Sequence, residues 1–289
     1  MATTPEKDSL SGVETTGHVW DGIRELNNPL PRWWVWVLYA TIIWSIGYWL
    51  LMPAWPTFWG YTSGFLGYSQ RDRVAAAIEA AEEAKSGFRD RIRDATLEDI
   101  RAETELLEFA LAGGQAAFGD NCAPCHGTGA QGSPGYPNLN DDDWIWGGTP
   151  DDILHTINYG IRAAHDDTRF NDMPAFGRDG ILGRDEISDT TEYVLSLSQQ
   201  DHDTAAAERG AVLFEENCVA CHMEGGVGST ELGAPNLTDG IWLFGGERAD
   251  IVRMIANSRS GVMPAWTDRL DAATIKELTV YVHSLGGGQ

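Results

Sequence analysis

Cysteine is scarce, with four in 289 residues. That excludes a disulfide-built scaffold, which needs a far denser framework. Basic residues are scarce too: 20 Lys and Arg stand against 43 Asp and Glu, a formal charge of -23. So little positive charge cannot neutralise a phosphate backbone, so nucleic acid is excluded as a partner. Charge of either sign is missing from Trp33 to Gln70. Soluble folds seldom carry so long an uncharged run. What the chain does have is apolar matter, 43% hydrophobic residues and 12 tryptophans. It can bury a core, which excludes global disorder, and its length suits about two domains.

Acid and tryptophan are spread in opposite ways. Residues 1–55 carry a net charge of -2, residues 56–116 carry -4, and residues 117–289 carry -17. Eight of the twelve tryptophans lie between Trp20 and Trp59. The front is aromatic and the back is acidic.

The apolar part of the uncharged run is Trp33–Met52. Twenty residues at about 1.5 Å each give roughly 30 Å, the thickness of a bilayer core. Trp33, Trp34 and Trp36 mark one end, and Trp49, Trp55 and Trp59 the other, as in an aromatic belt. Residues 33–55 are expected to form a transmembrane helix. Some thirty polar and acidic residues precede it, so it reads as a retained anchor, not a cleaved signal peptide. Flanking charge leaves its orientation open, since Lys7, Arg24 and Arg32 lie on one side and Arg71 and Arg73 start well beyond the other. One face reads Thr41, Trp44, Ser45, Tyr48, a spacing that suits packing on a membrane partner. The alternative is that the hydroxyls bond back to their own helix.

All four cysteines fall into one motif used twice, Cys122-Ala-Pro-Cys125-His126 and Cys218-Val-Ala-Cys221-His222. Two thiols separated by two residues can form thioethers to the two vinyl groups of a haem, and the adjacent His is carried to the iron. Zinc sites need the Cys pairs about 15–20 residues apart, and here they are 96 apart. A thioredoxin-like site lacks its strand–helix context. The motifs therefore call for two covalently bound c-type haems with His126 and His222 as proximal ligands. Met-Pro also occurs twice, at Met173 and Met263, 47 residues after His126 and 41 after His222. A thioether opposite an imidazole makes a low-spin iron of raised potential. His155 and His165 are the competing donors for the sixth position.

The two halves align. Gly114, Phe118 and Cys122 match Gly210, Phe214 and Cys218. Pro137-Asn138-Leu139 matches Pro235-Asn236-Leu237, and Trp144, Gly147 and Gly148 match Trp242, Gly245 and Gly246. Tyr193 and Leu197 match Tyr281 and Leu285. The main length difference is an insertion around Ala163–Asp172. Each half reads as helix, haem turn, Gly/Pro loops, helix, Met loop, helix, and this resembles the class I cytochrome c fold over 109–200 and 201–289. In that family the Gly-x-x-x-aromatic helix crosses the helix that carries the Tyr. The resemblance also implies that the carbonyls of Pro137 and Pro235 accept from the rings of His126 and His222, a bond that fixes the imidazole. Trp144 and Trp242 read as core packing. Residues 56–108, rich in Ala, Glu and Arg from Arg71 on, read as a helical arm with a solvated face.

Ahead of the span stands Thr15-Thr16-Gly17-His18-Val19-Trp20-Asp21-Gly22-Ile23-Arg24-Glu25-Leu26-Asn27-Asn28-Pro29-Leu30-Pro31-Arg32. This resembles the N-terminal signature of the dihaem subunit III of cbb3-type cytochrome c oxidases. The fold class expected is mainly α: one N-terminal transmembrane helix followed by two tandem class I cytochrome c domains. The resemblance implies an electron-transfer subunit with no catalytic centre of its own, within a proton-translocating oxidoreductase of the respiratory chain. It implies a single pass of the bacterial inner membrane, with residues 1–32 cytoplasmic and the haem domains periplasmic. Its implied partners are a donor cytochrome c, the mono-haem cytochrome c subunit, the haem–copper catalytic subunit and the bilayer. In this family the Met ligands are thought to be exchanged, Met263 serving the haem at Cys122/Cys125 and Met173 the one at Cys218/Cys221. Spacing alone fits either pairing. His18 reads as a solvated residue. Two other readings share the haem motifs, a free-standing anchored dihaem carrier and a dihaem peroxidase.

Overall fold

The computed structural model describes residues 4–286, and the chain divides into two compact units, 1–82 and 83–289. In the first, strand β1 (Thr15–Trp20) pairs antiparallel with β2 (Ile23–Leu26). Asp21 and Gly22 join them, with φ of 50° and 85°. Asp-Gly is favoured there because a two-residue turn that matches strand twist needs positive φ at both positions. Helix α1 (Arg32–Leu51) follows. Among the described residues it is the single helix long and apolar enough to cross a membrane, and none of it is buried within the protein. Hydropathy suggested a span of 33–55, but the helix stops at Leu51. Pro53 forces Met52 out of the helical region, to φ -114° and ψ 161°. Thr41 Oγ1 donates to Leu38 O and Ser45 Oγ to Thr41 O, both at 2.8 Å. The hydroxyls thus bond back to their own helix. Two short strands, β3 (Pro56–Thr57) and β4 (Gly60–Tyr61), make a second hairpin.

Helix α2 (Gln70–Asp94) is strongly charged and buries only Ile92. The expectation of a solvated arm fits its front part and fails further on. In α3 (Leu97–Ala102) and α4 (Thr104–Asn121), Leu97, Ile100 and Leu106 are buried. Together with Ile92 they pack on Ala273 and Val280 of α11 (Ala272–Ser284). Lys276 Nζ donates to the carbonyls of Arg93 and Ala95 at 2.6 and 2.7 Å, so α11 also caps the end of α2. Charged neighbours outnumber this narrow apolar stripe, so the sequence pattern alone does not reveal it.

Three of the remaining helices start where a side chain accepts orphan amide N–H groups. Thr149 caps α6 (Pro150–Tyr159), Asp203 caps α8 (Thr204–Asn217) and Asp271 caps α11. The one-turn helices α5 (Ala123–His126) and α9 (Val219–His222) carry the attachment motifs. Helices α7 (Arg184–Leu197) and α10 (Arg248–Asn257) complete the set.

Packing does not follow the sequence repeats. Helix α4 packs on α11, the last helix of the second repeat, and α6 also lies against α11. Helix α8 packs on α7, the last helix of the first repeat, and α10 lies against α7. A Cβ on Gly114 would collide with the Glu277 carbonyl, and one on Gly210 with the Asp189 carbonyl. Each glycine thus admits the backbone of a helix from the other repeat. Each core that carries an attachment motif is therefore assembled from elements of both repeats.

Candidate haem sites

Each attachment turn begins at a helix end. Cys122 closes α4 with its N–H on Phe118 O, and Cys218 closes α8 with its N–H on Phe214 O, both at 2.8 Å. Cys125 and His126 N–H then donate to Cys122 O, and Cys221 and His222 N–H to Cys218 O. The turn therefore presents both thiols and the imidazole in a fixed order. Burial, with a smaller contribution from the second thiol of the pair, pushes the Cys122 and Cys218 thiols up to about 11. Such thiols stay neutral, and a thioether replaces them without leaving a buried charge.

Both imidazoles are held through Nδ1. His126 Nδ1 is 3.1 Å from Pro137 O, and His222 Nδ1 is 3.0 Å from Pro235 O. A carbonyl only accepts, so the proton sits on Nδ1 and Nε2 keeps its lone pair. Burial lowers both imidazole pKa values, opposed by the bond to the carbonyl. Neutral rings with a free Nε2 and neutral thiols fit a covalently bound haem at each turn.

The methionine loops cross over. Met263 packs on the core of Phe118, Ile153, Ile157 and Leu278, on which Cys122 and Ala123 also pack. Met173 packs on the core that holds Cys218, Phe214 and Ile251. Backbone bonds repeat the exchange. Trp266 N–H donates to Ile157 O at 3.2 Å, and Phe176 N–H donates to Ile255 O at 3.1 Å. Each Met loop docks on the middle helix of the other repeat. The two loops differ in how they are held. Met263 exchanges two backbone hydrogen bonds with Ile161, at 2.9 and 3.0 Å.

The insertion after α6 turns out to be a strap. Arg162 Nε donates to Gly261 O at 2.7 Å and Nη1 to Asn171 O at 2.9 Å. Arg169 donates to Trp146 O at 2.7 Å and to Asp152 Oδ1 at 2.9 Å, with its guanidinium over the Trp146 ring. Asn171 Nδ2 donates to Leu232 O at 2.5 Å. The strap carries the chain from one core to the other and is pinned on both sides.

A pseudo-twofold junction joins the two cores. A Cβ on Gly233 would collide with the Trp146 ring. At the matched place Gly135 meets Phe244, 3.3 Å from an added Cβ, and Gly135 N–H donates to Leu243 O at 2.7 Å. Asp143 faces Asp239 there, and burial followed by that like charge pushes its carboxyl up to about 6. Trp144 and Trp242 pack on their respective cores. His155 and His165 both pack on Tyr159, and His165 Nδ1 accepts from Asp167 N–H at 3.0 Å. Sequence reading missed Trp146, Arg162 and Arg169. Trp146 and Phe244 occupy matched aromatic positions, which was the available signal.

Fold and sites together define a class: a cytochrome c, carrying covalently bound haem c, with one candidate transmembrane helix near its N-terminus. Three family models match the chain. They are the N-terminal domain of cytochrome oxidase-cbb3, FixP, over 12–59; cytochrome c over 111–198; and cytochrome c oxidase, cbb3-type, subunit III, over 205–282. The chain is 54% identical to the cbb3-type cytochrome c oxidase subunit CcoP of Azospirillum brasilense, over 98% of this chain and 99% of that one. It is 54% identical to subunit FixP of Azorhizobium caulinodans, over 98% and 96%, and 53% identical to subunit FixP of a Bradyrhizobium strain, over the whole of both chains. The chain belongs to the CcoP/FixP family of cbb3-type cytochrome c oxidase subunits.

Proposed function

We propose that this chain is the electron-transfer subunit of a cbb3-type terminal oxidase. It takes electrons from a donor cytochrome c and passes them towards the mono-haem and haem–copper subunits of the same complex. The observation that carries this reading is the pairing at each site. Every attachment turn has a His whose Nδ1 is occupied, and a methionine packs on the same core. Haem c, when bound, supplies a one-electron iron couple. The chain's residues do the rest. Cys122 and Cys125 hold one haem c, and Cys218 and Cys221 the other. His126 and Met263 would hold the iron of the first, and His222 and Met173 that of the second. Pro137 and Pro235 orient the imidazoles. With a His and a Met committed to each iron, oxygen or peroxide would find no open position, and the subunit would relay electrons without a catalytic centre of its own. Proton translocation belongs to the assembled oxidase.

Helix α1 anchors the subunit in the bacterial inner membrane. Because c-type haem is attached in the periplasm, residues 1–32 are cytoplasmic and the haem sites periplasmic. Residues 109–200 and 201–289 are the two cytochrome repeats. The charge of -17 over 117–289 favours a basic donor through steering.

Two measurements test the proposal. Purification in mild detergent is expected to bring a haem–copper core with the subunit. Elution alone, without haem b or copper, would make it a free-standing carrier. The holoprotein is expected to show two low-spin c-type haems. Met263→Ala and Met173→Ala are each expected to convert one to high spin and lower its potential. If neither variant alters the spectrum, the ligand assignment fails.

A further inference from the structure

From Leu51 the chain does not leave the anchor directly. It turns back on the helix end. Phe65 N–H donates to Leu50 O at 2.9 Å and Leu66 N–H to Leu51 O at 3.1 Å. Met52 N–H donates to Tyr48 O at 2.8 Å. These are carbonyls of the last helical turn, which water normally satisfies. Gly64 makes the approach possible, since a Cβ there would collide with the Leu51 carbonyl. Inside the excursion Thr62 N–H donates to Trp55 O at 2.9 Å and Trp55 N–H to Thr62 Oγ1 at 3.1 Å. Trp55 meets Trp49 of the helix edge-on at 4.8 Å between ring centroids. Pro53 and Pro56 have no N–H to leave unpaired. The hairpin of β3 and β4 then presents Phe58 and Trp59 at its tip, both fully exposed. Tyr61, Phe65 and Leu66 are exposed beside them.

Residues 52–69 contain no charged side chain. A water-facing loop of this length would be expected to carry charge, and its six exposed large apolar groups, Trp55 included, would be an aggregation liability in water. The other end of the anchor shows the contrast. The hairpin of β1 and β2 is tied by charge: Arg24 pairs with Glu6 at 2.7 Å, and Trp20 Nε1 donates to Glu25 at 2.9 Å. Trp20 and Ile23 are exposed there too, so charge, not the presence of apolar groups, separates the two hairpins. The excursion at 52–69 satisfies helix-end carbonyls internally and exposes apolar and aromatic groups, with the hydroxyls of Thr57, Thr62 and Ser63 as its exposed polar side chains and no charge among them. Both are requirements of backbone held at membrane depth.

We infer that residues 52–69 form an aromatic knob that enters the lipid headgroup and acyl boundary at the C-terminal end of α1, with Phe58 and Trp59 as its inserted tip. The partner is the bilayer itself. The span supports this choice, because the knob continues the same uncharged surface without a break. The knob fixes the depth of the helix end and the height at which residue 70 leaves the membrane. The inference rests on α1 being a membrane anchor.

The test is site-specific photocrosslinking in the intact oxidase in native membranes. A benzophenone amino acid replaces Phe58 or Trp59 singly, and control positions run along Trp36–Trp49. The expected result is lipid adducts from 58 and 59 as well as from control positions. Adducts from 58 and 59 to a protein subunit, or no adduct from either beside lipid adducts from the controls, would overturn the knob and leave the anchor standing. Absence of lipid adducts at every control position would instead overturn the anchor reading. Because a substituted tip could disturb the hairpin, Trp59→Phe offers a milder check. The fluorescence quenched by lipids brominated near the headgroup is expected to fall by one tryptophan's share, and no change there counts against the knob.

Discussion

The core built on α4 and α11 and the core built on α7 and α8 use the same parts and reach them differently. Both have a Gly-x-x-x-Phe helix crossing a Tyr-bearing helix, with Phe118 against Tyr281 at 5.5 Å and Phe214 against Tyr193 at 5.1 Å. Both have a His on a proline carbonyl. The α7–α8 core, with its Met173 loop and α10, comes from one uninterrupted stretch of chain. The α4–α11 core is closed by two segments far apart in sequence, with the other core inserted between them. Local structure therefore repeats while connectivity does not. A repeat fixes what an element looks like; the linker decides which copy of its partner it meets.

The largest break in this comparison comes from removing the chain after Ser258. That deletes Met263 and α11, yet every residue of the first repeat remains. The expected outcome is loss of the low-spin character of the Cys122/Cys125 haem, with the Cys218/Cys221 haem kept. Spectra of the reduced truncated protein and carbon monoxide binding check it. If the second site is lost instead, the cores are not exchanged.

Core truncations should separate the two units by degree. Leu278 and Leu195 are both buried, at 0% and 2% exposure, one in each core. Leu278→Ala and Leu195→Ala are each expected to cost about 3 kcal/mol. Hydrogen exchange should show the first loosening α4 and the second loosening α8. Equal loosening of both helices by either variant would mean that the cores do not unfold separately.

A smaller effect is expected at the strap. Arg162 holds Gly261 O and Asn171 O on either side of the Ile161–Met263 backbone pair. Arg162→Ala should lower the potential of one haem and increase its carbon monoxide binding, while the signature of the Met173 site stays unchanged. Arg162→Lys, which cannot fork to both carbonyls, should restore only part. A shift in the Met173 site would show that Arg162 acts more globally.

The smallest effect concerns acid. Glu192 is buried, accepts from Arg248 at 2.6 and 3.0 Å, and accepts from Asp203 N–H at 2.8 Å. The Arg248 bond holds its carboxyl below the usual range, against the opposing effect of burial. Its matched position in the other core is Val280. A depressed folded pKa contributes stability that is complete above the ordinary Glu range and is lost as pH falls through the depressed value. Acidification should therefore loosen the α7–α8 core, and Glu192→Gln should flatten that slope while leaving the α4–α11 core, which has its own depressed carboxyls at Asp152 and Asp271, unchanged. Thermal melts across acid pH, read by hydrogen exchange at α8, decide the point.

The two C-x-x-C-H turns stand out because haem attachment imposes a spacing, and the Met-Pro loops that pack on the two cores stand out because the pair recurs after each turn. The anchor was legible from its missing charge. The exchange of partners was not legible from residue types. Gly114 would accept the Asp189 backbone as readily as that of Glu277, since a glycine specifies closeness and not identity. The segment that bonds to both cores, Arg162 with the insertion around Ala163–Asp172, shows in the sequence only as a length difference between the repeats. The Asp21–Gly22 hairpin could have been read from its turn dipeptide. The buried stripe of Ile92, Leu97 and Ile100 was hidden among charges, and only the matching surface of α11 explains it.

The nesting of one core inside the other sets an order of completion. A chain delivered from its N-terminus exposes the Cys122 turn first, yet α4 and α6 then have no α11 to close on. The later core is whole as soon as α10 has emerged. The first attachment site stays open until the last helix arrives, so the earliest haem site to be made is the last to be sealed. Any step that reaches Cys122 and Cys125 has the time of synthesis of the entire second core in which to act, and a chain that stops short leaves its oldest site exposed.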